Sequence, residues 1–146
     1  MGLFSRQKGS REERALVMAL RDLKFDNVRR GLCQEEKLGF RPDVIGEKEG
    51  REWTFENKSY RDKFLWLYKF LDQTGVPFGV SVGGRCVGVD YSPIPLMNPG
   101  FDIVFKYSEE TKELKRLFKL AELKKEADFL VIKINNKKRL FIRYWV

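Results

Sequence analysis

The amino-acid sequence predicts an α/β (α+β) fold, a central mixed β-sheet flanked by helices, and three observations lead there. Stretches with apolar residues at helical spacing alternate along the chain with stretches of period two. Three pairs of short apolar runs are joined by hairpin-type turns at Glu49-Gly50, Gly83-Gly84 and Asn135-Asn136. No apolar run reaches membrane-spanning length, and no repeat or low-complexity tract breaks the pattern. A chain of 146 residues can bury a core without disulfides, so one domain is expected. Its core is read over about residues 6–91, with an elaboration over about 92–146.

The elements follow in order. Residues 10–24 read as a first helix, with Leu16, Val17, Leu20 and Leu23 on one face. Ser10 is its expected N-cap, and Ser10-x-x-Glu13 has the form of a capping box. A short strand is expected over 27–30, then a charged loop over 31–41 with mobile character. Residues 43–47 and 51–58 read as a hairpin. Ser59 then caps a second helix to about Gln73, with Phe64, Leu65, Tyr68 and Leu71 on its apolar face. A second hairpin joins 76–82 to 85–91, and the prolines and glycine of 92–100 end it. The remainder reads as a βαββ segment: a strand near 102–107, a helix over 109–126 and a hairpin of 129–134 with 139–145. Leu114, Leu117, Phe118 and Ala121 form the buried stripe of that helix.

Composition narrows the chemistry. The chain has no histidine, which removes Ser-His-Asp and Cys-His nucleophilic sites, histidine zinc sites and imidazole acid/base catalysis. Its formal charge of +8 favours a polyanionic partner such as nucleic acid. Cys33 and Cys86 lack zinc-ligand or redox spacing and read as reduced. The N-terminus has no signal-peptide core, so a cytoplasmic protein without membrane association is expected.

Against that background one pair of motifs stands out: Pro42-Asp43, then Glu56-Asn57-Lys58. Glu-x-Lys occurs five times, but only this copy falls on an expected strand, where residues two apart share a face. Trp53, Phe55 and Asn57 then point one way and Thr54, Glu56 and Lys58 the other. A turn at Glu49-Gly50 pairs positions that sum to 99, which sets Asp43 opposite Glu56, with Cβ atoms roughly 4.5–5.5 Å apart. Two carboxylates so close repel unless a cation or Lys58 compensates. A hard divalent cation meets that need and can activate water against a phosphodiester; a solvated hairpin face is the plain alternative. Glu13 lies at the inward edge of the first helix, where it can serve the cap, the same patch, or both.

The run Lys8-Gly9-Ser10-Arg11-Glu12-Glu13-Arg14-Ala15-Leu16-Val17 resembles the opening helix of the archaeal Holliday-junction resolvases. Pro42-Asp43-Val44-Ile45 and Phe55-Glu56-Asn57-Lys58 resemble the two later motifs of that family, and Gly75-Val76-Pro77-Phe78-Gly79-Val80 resembles its approach to the next strand. The resemblance implies a restriction-endonuclease-like fold of the PD-(D/E)XK superfamily and a metal-dependent DNA endonuclease, commonly a homodimer. It implies that Glu13, Asp43 and Glu56 bind Mg²⁺, with Mn²⁺ as a substitute, and that the Asn57 carbonyl adds an oxygen ligand. Lys58 then orients or deprotonates the attacking water. The family carries a serine in its mobile loop, whereas no serine occurs here from Phe25 to Gly50, which leaves junction specificity open. Two alignments of the family's last strands, with 76–91 or with 129–145, also stay open.

Arg6, Lys8, Arg11 and Arg14 at the N-terminus and Arg29, Arg30 and Arg41 around the loop are the candidate DNA contacts, against the plain reading of a charged surface. The alternative functions are a noncatalytic DNA-binding or assembly module on the same fold, or a nuclease for flap, single-stranded or foreign DNA.

Overall fold

A computed structural model describes residues 3–31, 42–82, 85–98, 101–106 and 127–145, with side chains over 10–31, 42–81, 86–98, 101–105 and 127–143. The elements run α1 (Leu3–Asp22), β1 (Asp26–Arg30), β2 (Val44–Lys48), β3 (Arg51–Tyr60), α2 (Leu65–Thr74), β4 (Phe78–Val82), β5 (Arg85–Asp90), α3 (Ile94–Met97), β6 (Ile103–Lys106), β7 (Phe129–Ile134) and β8 (Leu140–Trp145). The fold is mixed α/β, as expected, with an eight-stranded sheet in the order β1-β2-β3-β7-β8-β5-β4-β6. The pair β4–β6 is parallel. The chain divides into two compact units, Met1–Asn57 and Lys58–Val146. The loop over 32–41, the turn Gly83-Gly84 and the helix expected over 109–126 lie outside the described residues.

In the first unit, α1 packs on β1 and β2. Leu16 and Leu20 are fully buried and Val17 nearly so, each contributing roughly 1.5–3 kcal/mol relative to exposure. The helix starts at Leu3, not at Ser10. Residues 3–9 contain no proline, and helix propagates through them despite Gly9, so the expected capping box does not form. Instead, Arg14 Nη2 donates to Ser10 Oγ at 3.0 Å, one turn along the helix. The other end is a Schellman motif that stops the helix at Asp22, two residues before the expected end at 24. Lys24 takes φ 69, Phe25 N–H donates to Leu20 O at 3.0 Å and Lys24 N–H to Arg21 O at 2.9 Å. Lys48 Nζ caps the Leu23 carbonyl at 3.1 Å, a favourable charge for a helix C-terminus.

The hairpin β2–β3 has the expected register: Val44↔Phe55, Ile45↔Thr54, Gly46↔Trp53, Glu47↔Glu52 and Lys48↔Arg51. Glu49 and Gly50 both have positive φ, 55 and 71, which defines the mirror-image turn whose twist matches the strands. Trp53 and Phe55 are buried as expected, and Phe55 meets Phe25 edge-on at 5.8 Å.

In the second unit, Phe64, Leu67, Tyr68 and Leu71 pack with Phe78, Val80, Val87, Val89 and the inward residues of β7 and β8 in one cluster. Ser59 is not a helix cap: it lies within β3, and α2 begins six residues later, after Phe64 in the left-handed region. At about 100° per residue Leu65 falls well off the axis of that buried face. It is 45% exposed, contrary to expectation, and Leu67 takes its place. Gly75 closes the helix at φ 68.

The strand β7 has its expected bounds and is buried on both faces, Phe129 and Val131 alternating with Leu130, Ile132 and Ile134. Its partner β8 also pairs with β5 along Asp90↔Phe141 to Cys86↔Trp145, so the terminal hairpin is integral to this unit's sheet. The proline-rich break holds the single turn α3, whose Leu96 and Met97 carbonyls accept Arg143 Nη1 at 3.0 and 2.9 Å.

Candidate active site

The expected site begins where the β2–β3 ladder stops. Val44↔Phe55 is its last pair, and one residue beyond it on either side stand Asp43 and Glu56. Asp43 precedes the strand, and its Oδ2 accepts the backbone N–H of Asn57 at 2.8 Å. The Asp43 backbone is tied as well, since its carbonyl accepts Gly31 N–H at 3.0 Å. The carboxylate is therefore held against β3 beside Glu56.

Glu56 itself is 6% exposed, the one charged side chain that is buried among the described residues. The sequence predicted its strand and its face but not this burial. A carboxylate withdrawn from water costs several kcal/mol unless positive charge or donors offset it. Because β3 continues to Tyr60, Glu56 and Lys58 lie two apart on one strand and share a face, as expected.

Glu13 projects from α1 and is 23% exposed; its Oε2 accepts Arg30 Nε at 2.9 Å. Arg30 closes β1 and pairs with Val44, so the bridge ties Glu13 to the strand end that also carries Asp43. Arg30 was expected on phosphate, and its engagement with Glu13 is a contact that sequence reasoning missed. Nothing in the local pattern signals a pair seventeen positions apart. Arg29 likewise reaches Glu52 Oε2 at 3.2 Å. Arg11 and Arg14 are exposed on α1, whereas Arg41 and the side chains of Arg6 and Lys8 lie outside the described residues.

Among the described residues, no three of the metal-binding types lie close enough to hold one ion. Asp43 and Glu56 stand one residue beyond the last β2–β3 pair, Glu13 on α1 is bridged to Arg30, and the three are not closed into a ligand cluster. Their chemistry fits a hard cation nonetheless. Every candidate donor is a carboxylate or carbonyl oxygen, the ligand type magnesium and manganese prefer. One hydrogen bond occupies only one of the roughly four lone-pair sites of the Asp43 carboxylate. A cleft of about 470 Å³ lies elsewhere, on the second unit, lined by Leu65, Tyr68, Lys69, Asp72, Gln73 and Lys137. No helix among the described residues is long and apolar enough to cross a membrane.

Residues 4–72 match the family model described as archaeal Holliday junction resolvase, a family of the PD-(D/E)XK nuclease superfamily. The matched stretch holds all of Glu13, Asp43, Glu56, Asn57 and Lys58. No match to the chain is found among curated proteins or among solved structures.

Proposed function

Taking as premise that residues 4–72 are archaeal Holliday-junction-resolvase-like, we propose that this protein is a Mg²⁺-dependent DNA endonuclease. Its site is Glu13, Asp43, Glu56 and Lys58, and Mn²⁺ can replace Mg²⁺. The observation that carries the reading is the β2–β3 register, which ends with Asp43 hydrogen-bonded to β3 beside the buried Glu56. The family match over the same residues supports it.

When bound, a divalent cation acidifies a coordinated water and neutralises charge on a phosphoryl oxygen. Asp43, pinned by the Asn57 N–H, and the buried Glu56 carboxylate would hold that cation, with the Asn57 carbonyl as a further oxygen. Glu13 would join them in place of its bridge to Arg30. Lys58, on the Glu56 face, would orient the attacking water and screen the scissile phosphate. A homodimer belongs to this reading, because a four-way junction presents paired strands and each protomer carries one site.

The test is cleavage of a four-way junction, a flap, a linear duplex and a single strand, side by side, with and without Mg²⁺. Nicking that requires Mg²⁺ and disappears in folded Asp43→Ala, Glu56→Ala and Lys58→Ala variants is expected. Activity that persists in all three would refute the site. Salt-sensitive binding without cleavage under either metal would instead favour the noncatalytic module.

A further inference from the structure

Outside the carboxylate site, a grouping of charge and aromatic rings lies in the second unit, where α2 meets the β7–β8 turn. The cleft there is walled by Leu65, Tyr68, Lys69, Asp72 and Gln73 from α2 and by Lys137 from the turn. Tyr68 O–H donates to Lys138 O at 2.6 Å and so ties helix to turn. Lys137 Nζ sits 5.3 Å from the centre of the Tyr68 ring, and Lys138 Nζ sits 5.3 Å from the centre of the Tyr91 ring. Lys133 Nζ donates to the Lys137 carbonyl and stiffens the turn from within.

Two features separate this patch from ordinary solvated lysines. First, successive lysines each rest on a tyrosine face, so part of the ordering cost of binding is met before a ligand arrives. Second, the tyrosines act as neutral supports. Burial pushes the Tyr68 hydroxyl up to about 12, and burial with the neighbouring Asp72 raises that of Tyr91. Tyr91 O–H also donates to Asp72 Oδ1 at 2.8 Å, which occupies the one carboxylate in the cleft wall. Four ammonium groups (Lys69 and Lys137 in the cleft wall, Lys133 and Lys138 at the turn) thus stand against two carboxylates, Asp72, which is already engaged, and Asp90, which also acts on Tyr91. The lysines are spread over a helix, a strand and a turn. That spread suits a chain of phosphates better than one small anion.

We propose that this patch is a second DNA-binding surface, taking the sugar-phosphate backbone of a duplex arm. Its α2 wall up to Asp72 falls within the family match, whereas Lys133, Lys137, Lys138 and Tyr91 lie beyond its end at residue 72. The inference rests on the DNA-directed reading above but not on the catalytic residues, so the two can fail separately.

The experiment is equilibrium binding of a labelled four-way junction and a linear duplex in EDTA, where cleavage is prevented. The full chain is compared with Lys137→Gln/Lys138→Gln, with Tyr68→Ala, and with Lys24→Gln, a lysine of the first unit, as a control. Each phosphate contact contributes about 0.9 to the slope of log K against log salt, so the double variant should lower the slope by about 1.8. Tyr68→Ala, which removes the ring under Lys137, should weaken binding in the same direction, and Lys24→Gln should leave it unchanged. An unaltered slope in a folded double variant overturns the proposal and leaves the nuclease reading standing. Failure of the unmodified protein to bind any DNA overturns both.

Discussion

Asp43 serves two roles that substitution can separate. Its Oδ2 holds the Asn57 N–H at 2.8 Å, and on the proposed reading the same carboxylate is a cation ligand. Asp43→Asn keeps an oxygen for the N–H and removes a negative charge beside Glu56; Asp43→Ala removes the acceptor as well. Without metal, the alanine variant should therefore be less stable than the asparagine variant by about 0.5–1.5 kcal/mol, the net worth of one such bond. For a chain of this size that is a difference of roughly 1–6 °C in Tm. With Mg²⁺ at a hundredfold excess over its Kd, the unmodified protein should gain about 2.7 kcal/mol by mass action, or roughly 5–11 °C. Both variants should gain much less. Cleavage should fall by about 10²–10³ in both, since a lost ligand removes roughly 3–4 kcal/mol of transition-state stabilisation. Thermal unfolding in EDTA and in Mg²⁺, with junction cleavage alongside, reads all three quantities. An asparagine variant with the full Mg²⁺ upshift and an undiminished rate would remove Asp43 from the metal site, whatever its part in the fold.

Three further outcomes follow from the packing. Lys24 holds φ 69 at the end of α1, a conformation glycine adopts without strain, so Lys24→Gly should raise stability by up to about 1 kcal/mol in denaturant unfolding. At Gly79 an added Cβ would lie 2.2 Å from the Phe101 ring and 2.9 Å from Cys86 Sγ. Gly79→Ala should therefore cost about 1–3 kcal/mol, seen as a lower Tm, and trimming Phe101 should recover part of it. Burial raises the Asp90 carboxyl above its ordinary value, while backbone hydrogen bonds at Tyr91 and Ser92 pull the other way. The folded chain then holds this proton to higher pH than the unfolded one. Its contribution is fully present below the ordinary carboxylate pKa and lost as pH rises through the folded value. Asp90→Asn should abolish that loss on raising pH, in unfolding free energy measured from pH 3 to 7. An identical pH profile for both proteins would show that Asp90 does not cause it.

What was legible in the sequence is what short-range geometry controls. Glu49-Gly50 admits few turn types, and from it the pairing of β2 with β3 followed, and with it the position of Glu56 opposite Asp43. The bounds of β7 were legible because Asp128 and Asn135-Asn136 bracket a run that is apolar except for Lys133. The start of α1 was not, because Ser10-x-x-Glu13 carries the letters of a cap and Gly9 before it reads as a boundary too, yet the helix runs through both. Ser59 misled in the same way: a good cap residue sits in a strand that does not stop there. Long-range partners were out of reach altogether. The Glu13–Arg30 bridge and the pairing of β8 with β5 depend on how distant segments meet, and no local pattern encodes either. The burial of Glu56 belongs with these, since a strand pattern states which face a residue takes but not what covers that face.

The two-residue turn at Glu49-Gly50 lies five pairs away from the carboxylates, in the open, yet it acts as their gauge block. Adding a single amino acid there would slide one strand against the other and turn Glu56 to the opposite side of the sheet. Adding two could lengthen the tip and leave the spacing intact. A family of such proteins should therefore tolerate even-numbered growth at this tip and reject odd-numbered growth, although no atom of the turn touches the chemistry. Insertion libraries at this position would reveal that parity, and with it how far from a reaction its geometry can be decided.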